Sequence, residues 1–149
     1  MDTRTNETSF EKHAIQLSNV GVLELTIKSN LAPSIDCNPG FCEGDFSLLF
    51  GHSEFDSDRN GISVGVKLEI GMLDKVDPKQ YPFSLRIELV GLFKVDPDNF
   101  DVTKIDDWAK RNAPYILLPY LREHAYALTS RCGFTPIILP LFQIPTLYA

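Results

Sequence analysis

The stretch from Ile62 to Met72 alternates without a break between apolar residues and polar or small ones. A period of two over this length is that of a β-strand with one dry face and one wet face. The dry residues are Ile62, Val64, Val66, Leu68, Ile70 and Met72. The pattern therefore predicts a strand whose dry face other elements must cover.

Three further runs predict strands. Residues 83–89 repeat the alternation after a turn at Asp77-Pro78, and a shorter run follows from Phe46 to Phe50. Apolar residues also alternate from Phe10 to Ile27, but their phase changes, which indicates a bulge near residues 18–21. Because the connections are too short for crossover helices, we expect one antiparallel sheet of about four strands.

Two helices are predicted after the strands. A longer one is expected to begin near Pro119 and to end at Cys132, before Gly133, a residue type that favours helix ends. Leu118, Leu121, Ala125 and Leu128 give it one apolar stripe. A shorter one contains Ile105, Trp108 and Ala109, with Thr103 and Asp106 as its capping box, and it ends at Asn112-Ala113-Pro114. Trp108 is read as a core or interface anchor.

The predicted fold class is thus α+β, with a four-stranded antiparallel sheet and one long and one short helix packed on one face. A chain of 149 residues predicts one domain, which we place at residues 10–149 after a flexible polar arm at residues 1–9. The arm lacks the apolar run of a secretory signal, and no later run reaches the length of a membrane span.

The charge balance narrows the function classes. Charged residues make up 23% of the chain and the net charge is −6, which argues against a nucleic-acid binder because such proteins need a basic surface. Three cysteines, Cys37, Cys42 and Cys132, are too few and odd in number for a disulfide framework. The cysteine count fits a reducing compartment, and with the absence of a signal and of a membrane span it predicts a cytoplasmic protein that does not insert into membranes.

Two patterns in the sequence resemble metal-binding motifs, but each lacks some of the ligands that the metal would need. Residues 56–61 match the first half of a calcium loop, but Lys67 stands where the bidentate carboxylate is needed, so a hairpin turn at Asn60-Gly61 is the better interpretation. Cys37 and Cys42 have no second ligand pair, and the three histidines, His13, His52 and His124, are scattered. We expect no metal and no cofactor.

An enzyme is the less favoured class. The sequence has neither a glycine loop that cradles phosphate nor a serine at a strand-to-helix elbow. A Cys/His nucleophile remains an alternative, because its partners would meet only in the folded chain.

One set of residues resembles a known family. The segment from Pro114 onward, with its Pro-Tyr-x-Arg-Glu core at residues 119–123, resembles the signature of the SecB chaperones, and the strand ending in Gly91-Leu92-Phe93 is similar to theirs. The matching residues are Pro114, Ile116, Leu117, Pro119, Tyr120, Arg122, Glu123, Arg131, Gly133, Phe134, Pro136, Leu139 and Pro140.

The resemblance implies a homotetramer, built as a dimer of dimers, that binds unfolded polypeptides without ATP. Such a chaperone needs apolar grooves with polar rims. Candidate client-binding residues are Phe46, Leu48, Phe50, Phe83, Phe134, Phe142, Leu147 and Tyr148, for each of which core burial is the alternative. Candidate residues for subunit packing are Tyr120, Leu121, His124, Ala125 and Leu128.

The sequence also departs from the export members of that family. These dock on the SecA motor through acidic residues, whose positions align with Arg86, Asn19 and Leu23 here, and they continue into a second helix and tail beyond Ala149. The run from Tyr120 to Thr129 looks closer to a branch that protects antitoxins in toxin-antitoxin-chaperone systems. We therefore expect a dedicated antitoxin chaperone, with general export through SecA as the alternative.

Overall fold

The computed structural model describes residues 9–30, 46–72 and 82–142. The strands, which pair in the order β1-β4-β3-β2 with every pair antiparallel, precede the helices in the chain. Their bounds are β1 (Ile15–Ser29), β2 (Phe46–His52), β3 (Gly61–Ile70) and β4 (Phe83–Val95), followed by α1 (Ile105–Arg111) and α2 (Ala113–Arg131). The predicted four-stranded antiparallel sheet with helices on one face is confirmed.

The two central strands carry the core. β3 and β4 pair over their whole shared length, and the alternate residues predicted to be dry, such as Leu68 opposite Ile87 and Ile70 opposite Leu85, are fully buried. Burial of a large aliphatic side chain contributes about 1.5 to 3 kcal/mol. α1 and α2 lie over this dry face, while the opposite face of the sheet is left without a covering layer among the described residues.

The outer strand β1 is interrupted twice. Its pairing with β4 shifts between Leu17 and Asn19 and again between Val22 and Glu24. The first shift confirms the bulge predicted near Ser18. The second was not predicted, and the strand begins at Ile15 rather than near Phe10.

The long helix begins earlier than expected. α2 starts at Ala113, so Pro114 occupies its first turn, and Pro119 lies inside the helix with its ring on the exposed side. The prediction of a start at Pro119 was wrong, because Pro114 and Pro119 both fit the preference of proline for the first turn of a helix. The predicted end is confirmed: Gly133 has a φ of 82°, and the Phe134 N–H donates to the Thr129 carbonyl at 3.0 Å.

The short helix has a different cap from the predicted one. Asp101, not Thr103, begins the helical region: its Oδ1 accepts from the backbone N–H of Thr103 at 3.1 Å and from its hydroxyl at 2.7 Å. A 3-10 turn at Val102–Lys104 then leads into α1. The predicted end of the short helix near Asn112 is confirmed, but α2 follows there directly, so that the two helices form one bent helix.

Trp108 joins α1 to the end of the sheet. Its ring packs edge-on against Phe93 of β4, with ring centroids 5.2 Å apart, and stacks on His13 at 6.4 Å with an interplanar angle of 28°. The prediction of a packing role for Trp108 is confirmed for the core, since Phe93 is fully buried.

The segment after α2 runs back along it in an extended conformation. The Thr129 hydroxyl, which is fully buried, donates to the Ala125 carbonyl at 2.7 Å and accepts from the Ile137 N–H at 3.0 Å. Ile137 and Leu139 are buried, while the residue between them, Ile138, points outward. One hydroxyl therefore holds the returning segment in register on the helix.

Residues 56–61 form a turn, as predicted. Asp56 and Gly61 exchange backbone hydrogen bonds of 2.8 and 3.1 Å, and Asn60 takes a left-handed φ of 51°. Within the described residues, no group of three His, Cys, Asp or Glu could hold a metal ion, and no helix is long and apolar enough to cross a bilayer. Cys37, Cys42 and most of the arm at residues 1–9 lie outside the described residues.

Candidate functional site

An apolar groove opens between the outer strand β2 and the bent helix. Phe46, Leu48 and Phe50 pair with Ile70, Leu68 and Val66 of β3, so their side chains leave the sheet on the face that carries the helices. Because β2 is an outer strand, they are only partly covered, and Phe50 keeps 45% of its surface exposed. We call this concavity the β2 groove. Its cavity of about 200 Å³ is lined by Leu48, Phe50, Lys110, Pro114, Tyr115, Leu118 and Phe142.

The wall opposite β2 comes from one row of helical residues. Lys110, Pro114 and Leu118 follow each other at four-residue intervals across the junction of α1 and α2, so they share one face. This wall was not predicted from the sequence, because the two helices were expected to be separate. The four-residue spacing was the signal that could have found it.

Phe142 closes the far end of the groove. Its ring centroid lies 6.3 Å from that of Phe46, at an interplanar angle of 53°. The returning segment is held there by the guanidinium of Arg122, which donates to the Pro140 carbonyl at 3.2 Å. Four of the eight predicted client-binding residues, Phe46, Leu48, Phe50 and Phe142, are thus brought together.

Of the other four candidates, Phe83 and Phe134 lie outside the lining of the groove, and two lie outside the described residues. Phe83 is fully buried at the start of β4, where its ring lies 5.0 Å from that of Phe134, so this pair belongs to the core of the monomer. We correct their interpretation accordingly, because strand β4 is central and the segment after α2 covers it. Leu147 and Tyr148 lie outside the described residues.

The residues predicted for subunit packing divide into two sets. Leu121 and Ala125 are fully buried against the protomer's own sheet, so neither is available to a second subunit in this structure. Tyr120 remains 38% exposed, and His124 and Leu128 are partly exposed. The stripe assigned to subunit packing is therefore corrected to a core stripe with an outward margin at Tyr120, His124 and Leu128.

The open face of the sheet carries a small charge network. Arg86 lies in it, with a guanidinium nitrogen 3.7 Å from Glu24 Oε1 and another 3.8 Å from Glu69 Oε1, and Lys67 Nζ is 3.3 Å from the same Glu69 oxygen. Leu23 falls at the second register shift of β1, which places its neighbour Glu24 opposite Glu88. The positive charge of Arg86 is therefore surrounded by carboxylates rather than isolated.

A second cleft lies at the other end of the helix junction. It has a volume of about 410 Å³ and shares Tyr115 with the β2 groove. The Nδ1 atom of His13 accepts a hydrogen bond from the Ile15 N–H at 3.0 Å, which fixes one wall. The remaining lining residues are Ile15, Trp108, Asn112 and Ile116.

Comparisons with known proteins agree with this architecture. A family model for the preprotein translocase subunit SecB matches residues 10–149. The protein-export protein SecB of Nitrosomonas europaea is 24% identical over 140 residues, which span 94% of this chain and 84% of that protein. An uncharacterized protein of Methanocaldococcus jannaschii is 30% identical over 84 residues, or 56% of this chain and 52% of its own length.

A solved structure shares the fold. The SecB-like chaperone of Mycobacterium tuberculosis, determined in complex with a peptide from an antitoxin, matches with a TM-score of 0.61 at 17% identity, over 87% of this chain and 88% of that one. The family match extends over nearly the whole chain, including the strands and helix that form the β2 groove. The chain therefore belongs to the SecB family of chaperones.

Proposed function

We propose that this chain is an ATP-independent holdase that binds unfolded or unstable polypeptides in the β2 groove. The observation that carries the proposal is the convergence of Leu48, Phe50 and Phe142 on one open apolar concavity. A groove on an outer strand suits an extended client, because the client backbone can pair with the strand edge while its alternate side chains enter the groove. SecB-like chaperones are not enzymes, and the groove needs no cofactor for this task.

The favoured client is an antitoxin of a toxin-antitoxin-chaperone system. Two observations support this choice. The similar chaperone of Mycobacterium tuberculosis was solved with an antitoxin peptide. Where export members present a docking acid, this chain carries Arg86, which pairs with Glu24 and Glu69, so the acid that would meet the same partner is missing. Delivery of preproteins to the SecA translocase is the alternative, favoured by the relative from Nitrosomonas europaea.

The proposed assembly is a homotetramer, a dimer of dimers, that works in the cytoplasm with residues 10–149 as its chaperone domain. Tyr120, His124 and Leu128 are the helix residues that we assign to subunit packing. They form one exposed margin at four-residue spacing, beside the core stripe. Tyr120 is also the type of residue that is enriched at protein interfaces.

Suppression of aggregation tests the holdase function. Light scattering would follow a chemically unfolded client after dilution, with and without the protein. Phe50→Asp is expected to abolish protection, because a charge in an apolar groove opposes burial of client side chains. Leu49→Asp is the matched control: Leu49 is 58% exposed, but it lies opposite Lys67, on the other face of the sheet. Equal loss in both variants would contradict the β2 groove as the client site.

Identification of clients separates the two candidate functions. Mass spectrometry of proteins that co-purify with the tagged chaperone from its host would be compared between the wild type and Phe50→Asp. One small dominant partner, lost in the variant, is expected for an antitoxin chaperone. A broad set of signal-bearing preproteins, together with binding of SecA in calorimetry, would establish the export function instead.

A further inference from the structure

One charged side chain lines the otherwise apolar or aromatic β2 groove. Lys110, near the end of α1, is the only charged residue among the described residues that line the cavity, and it faces Leu48 and Phe50 across it. A lysine can lie along an apolar wall through its methylene stem while its ammonium group stays at the rim in water. The groove thus carries one positive charge at its edge.

Among the residues that the structure describes, none offers a carboxylate partner to the ammonium group of Lys110. Within residues 9–30, 46–72 and 82–142, no carboxylate oxygen lies within 4.0 Å of it. The two acidic residues one turn earlier in the helix have other neighbours: Asp107 pairs with Arg111 at 3.0 Å, and the Asp106 carboxylate, which is exposed, lies 3.9 Å from His52 Nδ1. In a chain with a net charge of −6, this is a local positive charge beside an apolar surface.

We propose that Lys110 selects the client by charge: the β2 groove takes extended apolar segments that carry an aspartate or glutamate next to their aromatic or aliphatic anchor. The charges are complementary, since a client carboxylate beside a side chain seated between Leu48 and Phe50 comes close to the Lys110 ammonium group. The inference rests on the proposed holdase function and specifies the chemistry of its partner. A rim charge acts mainly on specificity and on the rate of association.

Fluorescence anisotropy with three labelled peptides tests this proposal. The peptides share the same leucine and phenylalanine anchors and differ at one flanking position, which is Glu, Gln or Lys. The wild-type protein is expected to bind the Glu peptide about two- to fivefold more tightly than the Gln peptide, as for a solvent-exposed ion pair. The Lys peptide should bind most weakly, and the differences should shrink in high salt, which screens exposed charges.

Two charge-reversed variants complete the experiment. Lys110→Glu is expected to invert the order, so that the Lys peptide binds best. Lys104→Glu, which makes the same charge change at an exposed residue outside the cavity lining, should keep the wild-type order. Because both side chains are exposed, neither variant should lower the melting temperature appreciably.

The outcomes separate this inference from the holdase function. If Lys110→Glu leaves the order of the three peptides unchanged while Phe50→Asp abolishes binding of all three, the groove binds clients but Lys110 does not select them. If Phe50→Asp binds all three as tightly as the wild type does, the β2 groove is not the client site and both proposals fail. An inverted order in Lys110→Glu alone supports the inference.

Discussion

A methyl group on Gly91 would lie 2.7 Å from the Cδ2 atom of Leu117, closer than carbon atoms can approach without displacement. Gly91 is thus the point at which Leu117 of α2 packs directly against the backbone of β4. Leu117 is fully buried there and also meets the neighbouring core around Phe93. The close approach of α2 to the sheet, which sets the position of the wall of the β2 groove, depends on the missing side chain at Gly91.

Gly91→Ala should therefore destabilise the fold. Overpacking a tight core costs about 1 to 3 kcal/mol, and urea unfolding would measure the loss. Gly65→Ala is the control, because a Cβ at Gly65 would meet only backbone oxygens at 3.9 and 4.0 Å. That change should be neutral or stabilising by up to about 1 kcal/mol, since alanine suits a strand better than glycine does. A loss in the double variant Gly91→Ala, Leu117→Ala that is smaller than the sum of the two single losses would assign the cost to this contact. Equal losses at the two glycines would contradict it.

Thr129→Val should release the segment that returns along α2. Valine has the same shape but leaves the buried Ile137 N–H without its acceptor, at a cost of about 1 to 3 kcal/mol. Hydrogen exchange at the Ile137 amide is expected to accelerate more than exchange in β3. Thr135→Val, at an exposed position in the same segment, should change neither quantity. Unaltered protection of Ile137 in Thr129→Val would show that the hydroxyl does not hold the segment.

Asp101 should make the stability of the helical region depend on pH. The side-chain hydrogen bond from Thr103, with the backbone bond from the same residue, lowers the pKa of Asp101 below its ordinary value of 3.8. A lowered pKa in the folded state stabilises the protein above the ordinary value, and this contribution is lost as the pH falls through the folded-state pKa. Asp101→Asn should therefore be less stable than the wild type at neutral pH, with a difference that disappears in acid.

Thermal unfolding from neutral pH down to about pH 2, a range that spans the ordinary carboxyl pKa, checks this. Asp98→Asn, an equal change of charge at an exposed residue of the preceding turn, is the comparison. A gap between wild type and Asp101→Asn that stays constant across the pH range would contradict the assignment of the cap.

Tyr120→Glu should dissociate the proposed tetramer. The substitution places a charge at one end of the exposed margin formed with His124 and Leu128, where burial by a second subunit would be costly. Size-exclusion chromatography with light scattering would report the mass. Tyr126→Glu, on another side of the same helix and also exposed, should leave the assembly intact. A monomeric wild-type protein at micromolar concentration would overturn the assembly itself.

The strands could be predicted from sequence because their signal is local. The alternation from Ile62 to Ile70 determines which face of β3 is buried, whatever strands lie beside it. The same alternation in β4 made the antiparallel pairing of the two strands predictable. The roles of the aromatic residues could not be predicted in this way. Phe50 and Phe83 look alike in an alternating run, but the strand order places β2 outside and β4 inside, so the first borders a groove and the second lies in the core.

The helix was predicted less well for a related reason. Proline at the start of a helix is a statistical preference, and Pro114 and Pro119 both satisfied it. Tertiary packing determines which proline lies at the start of α2. Ala113, Pro114 and Leu117 are buried against the rest of the protein, and this burial stabilises a helix that begins at Ala113. The same extension aligns Lys110 with Pro114 and Leu118, so the wall of the groove became visible only with the bend at Asn112 in place.

The two register shifts in β1 also bear on how this protein keeps itself in solution. A long outer strand with regular pairing is a template on which another chain can add a strand, and proteins commonly blunt such edges with bulges. β1 spans Ile15–Ser29, and it is broken at Ser18 and Leu23 into short pieces of different phase. For a chaperone that binds unfolded chains, these interruptions lower the risk that aggregating chains add strands along the β1 edge.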